Sequence, residues 1–173
     1  GMEVLENFIV ENQNRRINLE SKKDQEGLSQ AVILADRAIG DFGKPTGFLK
    51  IGEETVAKRI LKLLGDLDLD EIIVVVGYKS DYYKELAMSN PKIKIVENDK
   101  HKYRGSMYSL SLCKDYIRGN FILMSDNLIF EERAIKSLLS SPDQTTMLIT
   151  SESGSGNETL VELRDGWVYK LSK

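Results

Sequence analysis

The sequence has a single cysteine and a single histidine. One cysteine cannot close an internal disulfide, and one histidine leaves no His/Cys cage for a metal. No apolar run approaches the length of a membrane span, so a transmembrane protein is excluded from the expectations. A basic excess is also missing: 24 lysines and arginines face 27 acids, for a formal charge of -3. Duplex DNA or RNA is therefore not an expected partner. No charged-then-apolar leader opens the chain, and Gly1-Met2 reads as a cloning remnant, so the expected setting is cytoplasmic. What is present is ordinary for a globular protein. The chain has 173 residues, with 41% hydrophobic and 29% charged side chains, which is too apolar for a disordered polymer.

Two regions differ in character. Residues 1–29 are a polar, Asn/Gln/Lys/Glu-rich extension in which Val4, Leu5, Phe8 and Ile9 fall at helical spacing. Its basic pairs, Arg15-Arg16 and Lys22-Lys23, are cancelled by acidic neighbours. Residues 30–173 form the expected domain. Ala31-Val-Ile-Leu-Ala35 and Glu71-Ile-Ile-Val-Val-Val76 are continuous apolar runs, the signature of strands buried on both faces. Lys92 to Val96 and Asn120 to Ser125 read as two more strands. Helical stripes intervene at Val56, Ile60, Leu61 and Leu64, at Tyr82, Tyr83, Leu86 and Ala87, and from Met107 to Ile117. A further stripe follows at Ala134, Ile135, Leu138 and Leu139. Strands separated by helices require right-handed crossovers and a parallel sheet. Three strands are expected near the end, at 145–150, 159–163 and 167–171, the last two joined by Asp165-Gly166, a hairpin signal. The predicted fold is α/β, a Rossmann-like three-layer α/β/α arrangement with a mostly parallel mixed sheet and a C-terminal antiparallel hairpin.

Ligands of open α/β sheets bind at the carboxyl ends of the strands. That places attention on the loops after Ala35, Gly77, Val96 and Ser125. The first, Asp36-Arg-Ala-Ile-Gly-Asp-Phe-Gly-Lys-Pro-Thr-Gly47, offers glycine-rich backbone for phosphates with Arg37 and Lys44 beside it. It matches neither the dinucleotide nor the P-loop fingerprint, and a glycine-rich connection without ligand is the plain alternative. Asp126 emerges at the sheet edge, where it can hold Mg²⁺ against phosphates or cap the next helix. His101 lies in a polar loop and reads as solvated. Cys113 lies in a helical stripe and reads as a buried thiol. Trp167 and Tyr169 alternate on the last strand, either packing in the core or presenting an apolar face to a partner, a second copy included.

The order of these pieces resembles the nucleotidyltransferase family, whose GT-A-like fold makes nucleotide-activated sugars and alcohols. The resemblance runs from Gln30 to Lys173. It is carried by Ala31 to Ala35, the loop to Lys44-Pro45, Phe48-Leu-Lys-Ile-Gly52, Asp70 to Tyr78, Tyr108-Ser-Leu110 and Phe121 to Asp126. Arg104-Gly-Ser-Met-Tyr-Ser-Leu110 leading to Met124-Ser-Asp-Asn127 is similar to the cytidylyltransferases acting on phosphocholine or inositol 1-phosphate. The resemblance implies that an acceptor phosphate attacks the α-phosphorus of an NTP, CTP favoured, releasing pyrophosphate with Mg²⁺ as cofactor. It implies Leu34, Ala35, Asp36, Gly40, Gly43, Gly77, Tyr78, Ser106 and Tyr108 as nucleotide-binding residues, Arg37 and Lys44 as the cationic catalytic groups, and Asp126 as metal ligand. The expected partners are an NTP, a phosphorylated small-molecule acceptor and a second copy of the chain.

The chain departs from the family's usual Leu-Ala-Ala-Gly-x-Gly-x-Arg, reading Leu34-Ala-Asp-Arg-Ala-Ile-Gly40. An anion at Asp36 opposes a triphosphate unless a cation compensates. Thr46 stands where the family has a lysine, and Ser125 replaces the glycine before the metal aspartate. Family members usually continue beyond the hairpin into an acceptor-binding lobe. These departures favour an alternative, a catalytically degenerate binding or regulatory module. A GT-A glycosyltransferase is disfavoured because Asp126-Asn-Leu lacks a second carboxylate.

Overall fold

In the computed structural model, residues 27–38, 40, 42–143, 145–151, 154 and 158–172 are described. The expected N-terminal extension lies almost wholly outside them. The chain divides into two compact units, residues 1–129 and 130–173.

The first unit is built on four strands, β1 (Leu28–Ala35), β4 (Glu71–Val76), β5 (Ile93–Glu97) and β6 (Asn120–Ser125). All pair in parallel, in the order β5-β4-β1-β6. Two short strands, β2 (Lys50–Ile51) and β3 (Glu54–Thr55), pair antiparallel beside a 3-10 turn at Thr46–Phe48. Three helices cross over: α1 (Val56–Gly65), α2 (Asp81–Met88) and α3 (Ser106–Ser111). The Thr55 hydroxyl accepts from the Lys58 N–H at 3.3 Å and caps α1.

Strand alternation sorts the core into two faces. Ile33 and Val74 point to the side where α1 brings Ala57, Ile60 and Leu61 and α2 brings Tyr83 and Leu86. Val32, Ile73, Val75 and Val96 point to the other, packing with Leu110 and Cys113. Both faces are covered, which is why these strands read as unbroken apolar runs. The lower end of β1 is tied by Gln30, fully buried, whose amide donates to the Tyr116 carbonyl (2.9 Å) and to Glu71 (3.1 Å) and whose oxygen accepts from Arg118 N–H (2.8 Å).

The helix expected from Met107 to Ile117 ends at Ser111 and continues as turns to Tyr116. Cys113 is fully buried, and burial pushes its thiol up to about 12, which keeps it protonated and inert.

The second unit contains α4 (Glu132–Leu139) and a hairpin of β7 (Leu160–Arg164) and β8 (Trp167–Ser172). Asp165 and Gly166 take positive φ angles of 51° and 82°, the geometry the Asp-Gly pair announces. Residues 145–150 form no strand, contrary to expectation. No ladder partner faces them among the described residues, and Met147, Leu148 and Ile149 are about half exposed. An apolar, β-branched stretch becomes a strand only where another strand completes its hydrogen bonds.

Candidate functional site

Strand order reverses direction beside β1: the chain moves outward from β1 to β4 and β5, then returns to place β6 on β1's other side. This is a topological switch point, and the crevice beyond the carboxyl ends of β1, β4 and β6 is the default ligand position of such sheets. The loop 36–47 leaves β1 at that point. Buried side chains fix both of its ends.

At the near end, Asp36 is buried at 2% exposure. Its Oδ2 accepts from Ser109 Oγ at 2.8 Å and from Asn98 Nδ2 at 3.0 Å, and Asn98 Nδ2 also reaches Ser109 Oγ at 3.1 Å. Its main-chain carbonyl accepts from the Tyr78 N–H at 3.0 Å. The carboxylate thus points inward, joining the ends of β1 and β5 to α3. At 2% exposure that anion is turned from solvent and held by protein donors.

At the far end, Asp126 plays the matching part. It is 4% exposed, and its Oδ2 accepts from the Tyr83 hydroxyl at 2.7 Å and from the Gly47 N–H at 3.0 Å. Gly47 has to be glycine here, because a Cβ would lie 2.1 Å from the Tyr83 hydroxyl oxygen. Phe48 packs edge-on against Tyr82 and Tyr83, with ring centroids 5.0 and 4.9 Å apart. Burial raises the Asp126 pKa above its ordinary value of 3.8; the hydrogen bonds from Tyr83 and Gly47 oppose the shift, and the nearby Asp36 charge adds to it. Tyr83 is raised too, by burial first and the carboxylate second, so it keeps its proton and serves as donor. Asp126 does not cap the next helix, which begins only at Glu132.

Both acceptor positions of Asp126 Oδ2 are therefore occupied by protein donors. No group of three His, Cys, Asp or Glu side chains stands together to hold a metal among the described residues.

The loop between these anchors carries Gly40 and Gly43, exposed and at left-handed φ angles of 70° and 69°. Cations stand on three loops at this edge of the sheet. Arg37 Nη2 donates to the Arg104 carbonyl at 3.5 Å, linking the first loop to the one after β5. Lys79, in the loop after β4, donates to the Gly43 carbonyl. Lys44 is half-buried in the loop itself, while Lys100 and Arg104 lie over the Tyr108 ring at 5.9 and 5.7 Å. Leu34 and Ala35 are ladder residues of β1, and the Leu34 carbonyl accepts from Asp126 N–H at 3.1 Å. Ser106 is exposed at the start of α3, and Tyr78 is half-buried after β4.

The sequence reading missed Asn98, Ser109, Tyr83, Lys79 and His101. Asn98 follows β5 directly and Lys79 stands three residues after β4, so a census of every loop at this sheet edge would have found them. Ser109 and Tyr83 are polar groups inside apolar stripes. His101, expected in solvent, is half-buried over Gly77: a Cβ at Gly77 would lie 2.6 Å from the His101 Cβ and Cγ. His101 Nδ1 lies 3.0 Å from the Asn98 carbonyl, which can only accept, so Nδ1 is the donor of that bond.

No protein-family model matches the chain. Among curated proteins, it is 26% identical over 90 residues to the choline-phosphate cytidylyltransferase of Streptococcus pneumoniae, covering 50% of this chain and 38% of that protein. It is 27% identical over 149 residues to the bifunctional IPC transferase and DIPP synthase of Archaeoglobus fulgidus, covering 84% of this chain and 30% of that protein. The chain thus spans well under half the length of these relatives. Among solved structures, the inositol-1-phosphate CTP transferase from T. maritima superposes with a TM-score of 0.57 at 23% identity, over 69% of this chain and 52% of that one. The CTP:phosphocholine cytidylyltransferase from Streptococcus pneumoniae gives 0.52 at 21%, over 57% and 45%.

Proposed function

We propose that this chain, similar in sequence and in fold to nucleotidyltransferases, binds a nucleoside triphosphate at the β1–β4–β6 crevice and transfers its nucleotidyl group to a phosphorylated small alcohol or sugar. CTP is the favoured donor, because the relatives in both comparisons are named for cytidylyl or CTP transfer. The observation that carries the reading is the doubly anchored glycine-rich loop, with both acids turned inward and with Lys79 and Arg37 tying it to the loops after β4 and β5.

In this reading an acceptor phosphate oxygen bonds to the α-phosphorus as the bond from that phosphorus to the β-phosphate bridging oxygen breaks, and pyrophosphate leaves. The protein contributes positioning and charge. Loop N–H groups approach the phosphates, Arg37 and Lys44 neutralise charge that grows on the departing oxygens, and the Asp36 and Asp126 anchors keep the loop from relaxing. Mg²⁺ enters as the companion ion of the triphosphate, bound chiefly by phosphate oxygens and water.

A thermal-shift titration with CTP, UTP, ATP and GTP, each with Mg²⁺, tests the reading. A ligand that binds only the native state raises the melting temperature by mass action. CTP is expected to stabilise more than the purine nucleotides; flat curves with all four would refute it. Two observations favour a second reading, a binding module without turnover: Thr46 stands in place of the family's lysine, and His101 lies over Gly77. That reading predicts CTP binding with no pyrophosphate release in the presence of phosphocholine or inositol 1-phosphate.

A further inference from the structure

Lys79 stands out in the loop after β4. Its φ of 48° puts a long, β-carbon-bearing side chain in the left-handed region that glycine or asparagine occupies with less strain. The other described non-glycine residue with positive φ is Asp165, whose place in a hairpin turn explains it. Lys79 lies instead in the turn 78–80 that leads into α2. Its backbone is strained, and its side chain, exposed in the loop, crosses to the Gly43 carbonyl on the glycine-rich loop. Strain retained at an element end beside a candidate site points to a use for the side chain.

We propose that Lys79 is a phosphate-binding residue of this site, supplying the cation that Thr46 does not. An ammonium has three N–H donors. One fastens the loop at Gly43 and the other two remain for anionic oxygens lying along that loop. The group also lies 5.8 Å from the Tyr78 ring centroid, which holds its stem over the end of β4. Arg37, in the loop itself, reaches the Arg104 carbonyl, so two cations tie this loop to the loops after β4 and β5. The ligand class that Lys79 fits is a pyrophosphate or triphosphate group. The inference rests on the nucleotide reading above and deepens it by assigning one more residue to the phosphates.

Binding of inorganic pyrophosphate, CMP and CTP, each with Mg²⁺, to wild type, Lys79→Gly, Lys79→Arg and the exposed helix control Lys62→Gln tests the proposal. Lys79→Gly relieves the backbone strain, so the ligand-free protein is expected to melt no lower than wild type. Pyrophosphate and CTP are expected to bind about tenfold more weakly to it, the loss of one charge-assisted contact. CMP binding is expected to change less than about twofold on the same grounds, Lys79→Arg to recover most of the pyrophosphate affinity, and Lys62→Gln to match wild type. A residue that merely tethers the loop would alter CMP, CTP and pyrophosphate alike, and that result, or unchanged pyrophosphate binding in Lys79→Gly, overturns the proposal. Wild type that binds pyrophosphate in a Lys79-dependent way but does not prefer CTP refutes the cytidylyl reading alone. Wild type that binds none of the three refutes both.

Discussion

Replacing Asp126 separates the anchoring role seen here from a role as metal ligand. Asp126→Ala removes the acceptor for two donors, the buried Tyr83 hydroxyl and the Gly47 N–H, bonded at 2.7 and 3.0 Å. Each buried donor left without a partner costs about 1–3 kcal/mol, so the loss for two is roughly 2–6 kcal/mol. That is a large part of the stability of a typical domain. Asp126→Asn keeps an oxygen for both donors and removes a buried charge, and it is expected to cost less than about 1 kcal/mol at pH 7. The pH dependence carries a sign. The folded Asp126 pKa is raised above its ordinary 3.8, so the group's contribution is fully present below that value and is lost as pH rises through the folded pKa. The stability difference between Asp126→Asn and wild type should therefore move in favour of the asparagine as pH climbs from about 4 towards 7. Urea midpoints for the three proteins at pH 4, 5.5 and 7 read this directly. Equal midpoints for Asp126→Ala and Asp126→Asn at pH 7 would refute the anchor. If instead Asp126→Asn is stable but loses the Mg²⁺-dependent part of CTP binding, the carboxylate serves the ion.

Gly47→Ala drives a methyl group into the Tyr83 hydroxyl and should cost at least about 2 kcal/mol. Tyr83→Phe in the same chain, which removes the oxygen that the new Cβ meets at 2.1 Å, should recover part of it in a double-mutant cycle; independent, additive losses would contradict the geometry. Asp36→Ala leaves Asn98 Nδ2 without its carboxylate and should destabilise by about 2–4 kcal/mol, whereas Ser109→Ala should cost about 1 kcal/mol, since Asn98 still reaches Asp36; denaturant curves showing Asp36→Ala unchanged would contradict a buried, bonded carboxylate.

The parallel sheet was legible because its strands are covered on both faces and so lose the polar alternation that marks other strands. The hairpin was legible from Asp165-Gly166, where one dipeptide specifies the turn. Residues 145–150 were not, because strand propensity is local while the ladder partner that realises it is not. The same division holds at the site. Asp36 and Asp126 could be placed at the carboxyl edge by their positions after β1 and β6. Which way their carboxylates turn depends on Asn98, Ser109, Tyr83 and Gly47, which are between 43 and 79 residues distant from the acids in sequence. Tyr83 fitted an apolar stripe and Ser109 sat beside Leu110, so each looked like packing; their hydroxyls matter only once the helices dock. Lys79 could be found by its loop alone, but the positive φ that singles it out leaves no mark on residue spacing.

Mapping amide chemical shifts during a CTP–Mg²⁺ titration is the most direct test of where a nucleotide goes. Gly40, Gly43, Gly77, Tyr78 and Lys79 are expected to shift together while α1 stays still. Shifts confined to the hairpin, or none at millimolar CTP, would contradict that placement.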